Sequence, residues 1–159
     1  MKTEKKTTRL ARTGLSLVAI LSLFAAVQFQ AHAQTGKETH HAKLSEHHVK
    51  AMEKAAALKE GTVTAKADQA KHSKEIGEHL TEAKKHHAAL EKATPEHKPH
   101  HAAIKKHHAE AALHHKALAQ ETAKAKPDAA KVKEHATKVH AAVEKAENEH
   151  KALKEKSNR

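Results

Sequence analysis

Eighteen of the chain's nineteen histidines lie beyond residue 33, and their spacing is what most invites a chemical reading. Six His-His dipeptides stand out: His40-His41, His47-His48, His86-His87, His100-His101, His107-His108 and His114-His115. Neutral imidazole is the commonest side-chain ligand for zinc, copper and nickel. On a single helix, residues seven apart are separated by about 10.5 Å of rise and adjacent residues point about 100° apart. A shared ion therefore needs neighbours at i,i+3 or i,i+4, or a second helix. The first route exists in three His-x-x-Glu-x-x-x-His segments: His72, Glu75, His79; His79, Glu82, His86; and His107, Glu110, His114. Each glutamate sits three residues after one histidine and four before the next, so a His/Glu pair shares one helix face.

The elements that must carry these residues are helical. Between Gly61-Thr62-Val63-Thr64, Thr94 to Pro99, and Lys126-Pro127-Asp128, the sequence is dominated by Ala, Lys, Glu and Leu, all strong helix formers. Four helices are expected, over about 39–60, 65–93, 99–124 and 129–156, with Pro99 suited to a first helical turn. Short connections favour antiparallel neighbours. One seven-residue rule covers all four segments. Leu44, Ala51 and Leu58, then Ile76, Ala83 and Leu90, then Ile104, Ala111 and Leu118, then Val132, Val139, Ala146 and Leu153 fall at d. The fold class is thus all-α, an antiparallel up-down-up-down four-helix bundle built on heptad repeats.

In this register, His40, His47, His72, His79, His86, His100, His107, His114 and His135 occupy g, and His41, His48, His87, His101, His108, His115 and His150 occupy a. A coiled-coil core asks for apolar a positions, and nothing in packing asks for sixteen imidazoles on two positions. Histidine seams are expected where g edges of neighbouring helices meet, with the a histidines pointing further inward. All sixteen, with Glu75, Glu82 and Glu110, are candidate metal ligands. Helices 2 and 3 hold ten of the eighteen and all three His/Glu segments, so they are expected to carry most of the capacity.

The donor set bounds the ion. The chain has no cysteine, and Met52 is the sole methionine beyond residue 33, which disfavours Cu(I). Imidazole with carboxylate suits Cu(II), Zn(II) and Ni(II). The first 33 residues read as a secretory signal peptide: basic Lys2, Lys5, Lys6, Arg9 and Arg12, an apolar run from Leu15 to Val27, and Ala31-His32-Ala33 before the cut. Residues 34–159 form the expected bundle domain, placed in the periplasm or secreted, with no membrane span once the signal is removed. Cleavage there leaves Gly36 third, so an amino-terminal Cu(II)/Ni(II) motif is absent. Both phenylalanines lie in the signal, so alanine does much of the core filling and stability is expected to be marginal. Imidazoles titrating near pH ~6.5 add charge on mild acidification, and most are expected to be protonated below pH ~6.

The combination of signal peptide, histidine-bearing heptads and no cysteine resembles the bacterial periplasmic small metal-binding protein family, in segments such as His107-His108-Ala109-Glu110 and His79-Leu80-Thr81-Glu82. The resemblance implies a Cu(II)-binding helical bundle, with other divalent metals possible, in a buffering or tolerance role.

Other readings are weaker. A net charge of +11 and Lys/Ala runs such as Ala123 to Pro127 suit polyanionic envelope components, and a pH-responsive structural role would use the same histidines. Nucleic acid is not expected as a partner: export removes the chain from it, acids are interspersed, and no aromatic ring remains to stack on bases. Glu38-x-x-His41 and Glu147-x-x-His150 have the spacing of a di-iron carboxylate bundle, which requires four inward carboxylates, and both arise readily in a Glu/His-rich repeat. No nucleophile–base pair or phosphate loop is present, so no enzymatic activity is expected.

Overall fold

The computed structural model describes the backbone of residues 14–159 and the side chains from residue 35 onward. Of the expected signal peptide, residues 1–13 lie outside the described residues, and for residues 14–34, which include the cleavage point, the backbone alone is described. The chain divides into two compact units, Met1–Gly36 and Lys37–Arg159, and the second carries everything below.

The helices are α1 (Gly14–Glu60), α2 (Lys66–Ala93), α3 (Lys98–Ala123) and α4 (Ala129–Ser157), with a 3-10 turn over Pro95–His97; α1 from Lys37 onward and the other three make up the helical bundle of the second unit, and no strand occurs among the described residues. Three helices begin and end within a residue of expectation. The exception is α1, whose helical backbone starts well before residue 39, because nothing from Gly14 onward breaks it.

Local chemistry sets the ends. Gly61 takes φ +74°, and the amides of Gly61 and Thr62 donate to the carbonyls of Leu58 and Ala57 at 3.3 and 3.2 Å, a Schellman closure of α1. The Thr94 amide and hydroxyl both donate to the Leu90 carbonyl at 2.8 Å before Pro95 ends α2. Asp128 accepts from the amides of Ala130 and Lys131, capping α4. Its own amide donates to buried Glu121 at 2.8 Å, which pins the α3–α4 turn.

The interior has two halves. Toward the C-terminal end of α1 it is apolar: Ala51, Leu58, Ile76, Leu80, Leu118, Val132, Val139 and Val143 belong to one buried cluster. Toward the other end, Leu44, Ala83 and Leu90 form a small cluster of their own. The rest of the buried interior there is largely imidazole. Fully burying a Leu, Ile or Val side chain contributes roughly 1.5–3 kcal/mol, so the apolar half supplies most of the hydrophobic stabilisation and the histidine half depends on polar pairing.

Candidate metal centre

The two sequence classes of histidine occupy two environments. His41, His48, His87, His101, His108 and His150 are buried, at 2% exposure or less. His115 is half-buried, as are all nine at g: His40, His47, His72, His79, His86, His100, His107, His114 and His135.

The buried set converges on one carboxylate. Glu147 on α4 accepts from the Ser45 hydroxyl at 2.6 Å and from Nδ1 of His48 at 2.8 Å, with Nδ1 of His150 at 3.3 Å. An ionised carboxylate only accepts, so both rings present Nδ1–H to it. Burial alone would raise the Glu147 pKa, but the bonds from His150, His48 and Ser45 outweigh it and hold the group well below the usual carboxylate range. His48, Glu147 and His150 are all buried, and one ligand atom from each lies within 4.8 Å of the others; it is the one such group of three among the described residues.

Further imidazoles extend from this centre. Nε2 of His48 meets Nε2 of His108 at 2.7 Å, and Nε2 of His150 meets Nδ1 of His41 at 2.9 Å. With Nδ1–H of His48 committed to Glu147, its Nε2 accepts and His108 donates. That leaves Nδ1 of His108 buried without a hydrogen-bond partner. The His87 ring lies edge-on to His108 at 5.6 Å, and its Nε2 meets Nδ1 of His101 at 3.1 Å. His101 in turn donates from Nε2 to the Thr94 carbonyl at 3.0 Å.

Burial lowers these pKa values. Desolvation, then the charge of His150, takes His41 to about 4; desolvation, then His101, takes His87 to about 4; desolvation, then His48, takes His108 to about 3. Desolvation also lowers His48, against the pull of Glu147. The expectation of general protonation below pH ~6 is thus corrected for His41, His48, His87 and His108: the folded interior keeps these four rings neutral to lower pH.

The half-buried histidines line the g edges. Between α1 and α2, Nδ1 of His40 and His86 are 3.0 Å apart, and Nδ1 of His47 and His79 are 3.2 Å apart. Between α3 and α4, Nδ1 of His100 donates to Glu149 at 3.0 Å. Nδ1 of His72 and of His135 are enclosed without a hydrogen-bond partner. The other two helix contacts use the e edges, as in Lys105–Glu91 between α2 and α3 at 2.6 Å and Ser45–Glu147 between α1 and α4. His115, at a, donates to the Ser73 carbonyl at 2.8 Å.

In the three His/Glu segments the glutamates have different partners. Glu75 reaches Lys54 at 2.8 Å and Glu82 reaches Lys85 at 2.5 Å, while Glu110 stands 3.5 Å from Nδ1 of His107. The group of three joins α1 to α4, whereas the count of histidines points to helices 2 and 3. Sequence reasoning omits Glu147. Its one signal is the Glu147-x-x-His150 spacing, which is set aside there as part of a di-iron pattern.

No known protein family, curated protein or solved structure matches the chain.

Proposed function

We propose that this protein is an exported, non-enzymatic metal-binding bundle that sequesters or buffers divalent transition metal ions, Cu(II) foremost with Zn(II) or Ni(II) beside it. The observation that carries the reading is the buried His48–Glu147–His150 group. Two imidazoles and a carboxylate on two helices make a ligand set suited to these ions. Each ring would ligate the ion through Nδ1 in its other neutral tautomer, its proton moving to Nε2, so nitrogen lone pairs and the carboxylate charge would converge on the ion. Ser45 and the His41 and His108 rings would then be the outer partners that orient the ligands.

The finer architecture belongs to this proposal. Along α1, His40, His47 and Lys54 meet His86, His79 and Glu75 in turn, and Lys37, His41 and Ser45 meet Ser157, His150 and Glu147. The opposed order supports antiparallel neighbours in an up-down-up-down bundle, and burial recurring at seven-residue spacing supports the heptad register. The basic and apolar start of the chain supports export, and its resemblance to periplasmic small metal-binding proteins fits that destination. Among the described residues, no helix is long and apolar enough to cross a membrane.

The test is a set of thermal melts of residues 34–159 at pH 7.5, without metal and with Cu(II), Zn(II) or Ni(II) in turn, with competition to rank them. An ion at 100 times its dissociation constant stabilises the folded state by about 2.7 kcal/mol per site, a rise of roughly 10 °C for a domain of this size. A melt unmoved by saturating metal contradicts a site that joins two helices.

A further inference from the structure

The six His-His dipeptides are not explained by the buried centre, which takes one ring from each of two helices. Four of the second-class histidines line the α1–α2 seam in two pairs. His40 and His86 present Nδ1 to each other at 3.0 Å, and His47 and His79 do so at 3.2 Å. With metal–nitrogen bonds of about 2.0–2.1 Å, these separations subtend roughly 95–105° at an ion, between the square and tetrahedral ideals. In each pair one ring donates its Nδ1–H to the other, and for both Nδ1 atoms to bind a divalent ion that one proton would move to the donor ring's own Nε2. The rings of His47 and His86 stack at 5.7 Å, so the pairs are contiguous.

All four residues are half-buried, so the remaining coordination positions face water. Three of the four directly precede a histidine of the buried set: His40-His41, His47-His48 and His86-His87. His48 is itself a member of the buried centre, and His41 touches His150. From His87, which follows His86 in the chain, a second line of rings runs through His108 to His48, at centroid spacings of 5.6 and 5.0 Å. Ring contacts thus run from His87 to Glu147, and each of these dipeptides joins a half-buried histidine to a buried one along the chain.

We propose that the His40–His86 and His47–His79 pairs are a second, solvent-facing site for divalent transition metal ions, from which the buried His48–Glu147–His150 centre is loaded. This rests on the metal-binding reading of that centre. The seam captures ions with two imidazoles and water, and the dipeptides pass them inward.

Co(II) alone is a suitable probe, because a four-coordinate buried centre absorbs visible light strongly and a two-imidazole, water-rich site only faintly. The wild type is compared with His40→Gln/His47→Gln/His79→Gln/His86→Gln by equilibrium dialysis and by following the strong band after rapid mixing. The variant is expected to bind fewer ions and reach the same final strong band. It should get there about tenfold more slowly, the scale on which outer groups tune metal sites. Circular dichroism checks its fold, and His47→Gln/His79→Gln, which removes one pair, gives the same reading if four changes disturb packing. A strong band rising equally fast in both proteins, or an equal ion count, overturns the seam alone. A wild type that binds Co(II) without the strong band overturns the buried centre and the loading role together.

Discussion

Nδ1 of His48 stands 2.8 Å from Oε2 of Glu147, so one buried contact ties α1 to α4 in the part of the interior with the fewest aliphatic side chains. Glu147 is 4% exposed and accepts from three side chains, making its carboxylate the hub of the buried imidazole cluster. Removing the charge while keeping the shape separates its two roles. Glu147→Gln is expected to weaken divalent metal binding at the centre by about 100-fold or more, since loss of even outer-shell partners costs 10–100-fold. Stability without metal should fall by about 1–3 kcal/mol, the range for disturbing hydrogen bonds to a buried charged group. Isothermal titration and urea unfolding of the two proteins give both numbers; equal affinity would remove Glu147 from the ligand set.

Acid should undo the histidine half of the interior. Unfolded, its imidazoles titrate near 6.5; folded, His41 and His87 titrate at about 4 and His108 at about 3. Between those limits the unfolded chain binds protons that the folded chain does not, so stability is lost as pH falls from about 6.5 toward 4. Above about pH 7 these groups leave stability unchanged. Glu147, held below the ordinary carboxylate range, stays ionised throughout that window and does not offset the loss. Thermal melts of the metal-free protein should be level above pH 7 and decline steeply below pH 6, judged from that titration. A level melt down to pH 4, against the same titration, contradicts the buried neutral rings.

How much of this the sequence reveals depends on how many helices a feature needs. The division of His47 from His48, half-buried from buried, follows from the periodicity of α1 alone, as does the burial of Leu44 and Leu58. Glu147 is different. It lies on an e edge, where periodicity alone suggests a partly solvated carboxylate, and it is buried because α4 sets that edge against Ser45, a small hydroxyl residue on α1. Nothing within α4 records what faces it. The same limit applies to Glu75 and Glu82. Helical spacing puts them beside histidines, but Lys54 across the interface and Lys85 on the same helix offer a full charge, and the stronger ionic partner wins.

Gly77 is a second feature that one helix cannot explain. Glycine in a helix interior costs about 1 kcal/mol relative to alanine, yet here a Cβ would lie 2.6 Å from Cε1 of His115, whose Nε2 donates to the Ser73 carbonyl. Gly77→Ala should therefore destabilise the protein by about 1 kcal/mol net, as the lost packing and hydrogen bond exceed the gain in helix propensity. In a His115→Ala background the same change should stabilise by about 1 kcal/mol, the propensity term alone. Denaturant unfolding of the four proteins closes the cycle, and the same sign in both backgrounds would show that His115 does not set the requirement for glycine.

The centre itself is tested most directly by locating an ion. Crystals of residues 34–159 grown with Zn(II) at pH 7.5 would be measured at the zinc absorption edge for an anomalous difference map. The account predicts a buried peak bonded to His48, His150 and Glu147, with zinc–nitrogen distances of about 2.0–2.1 Å. A fully loaded protein whose peaks lie only on the half-buried histidines, with His48 and His150 still hydrogen-bonded to Glu147, would contradict it.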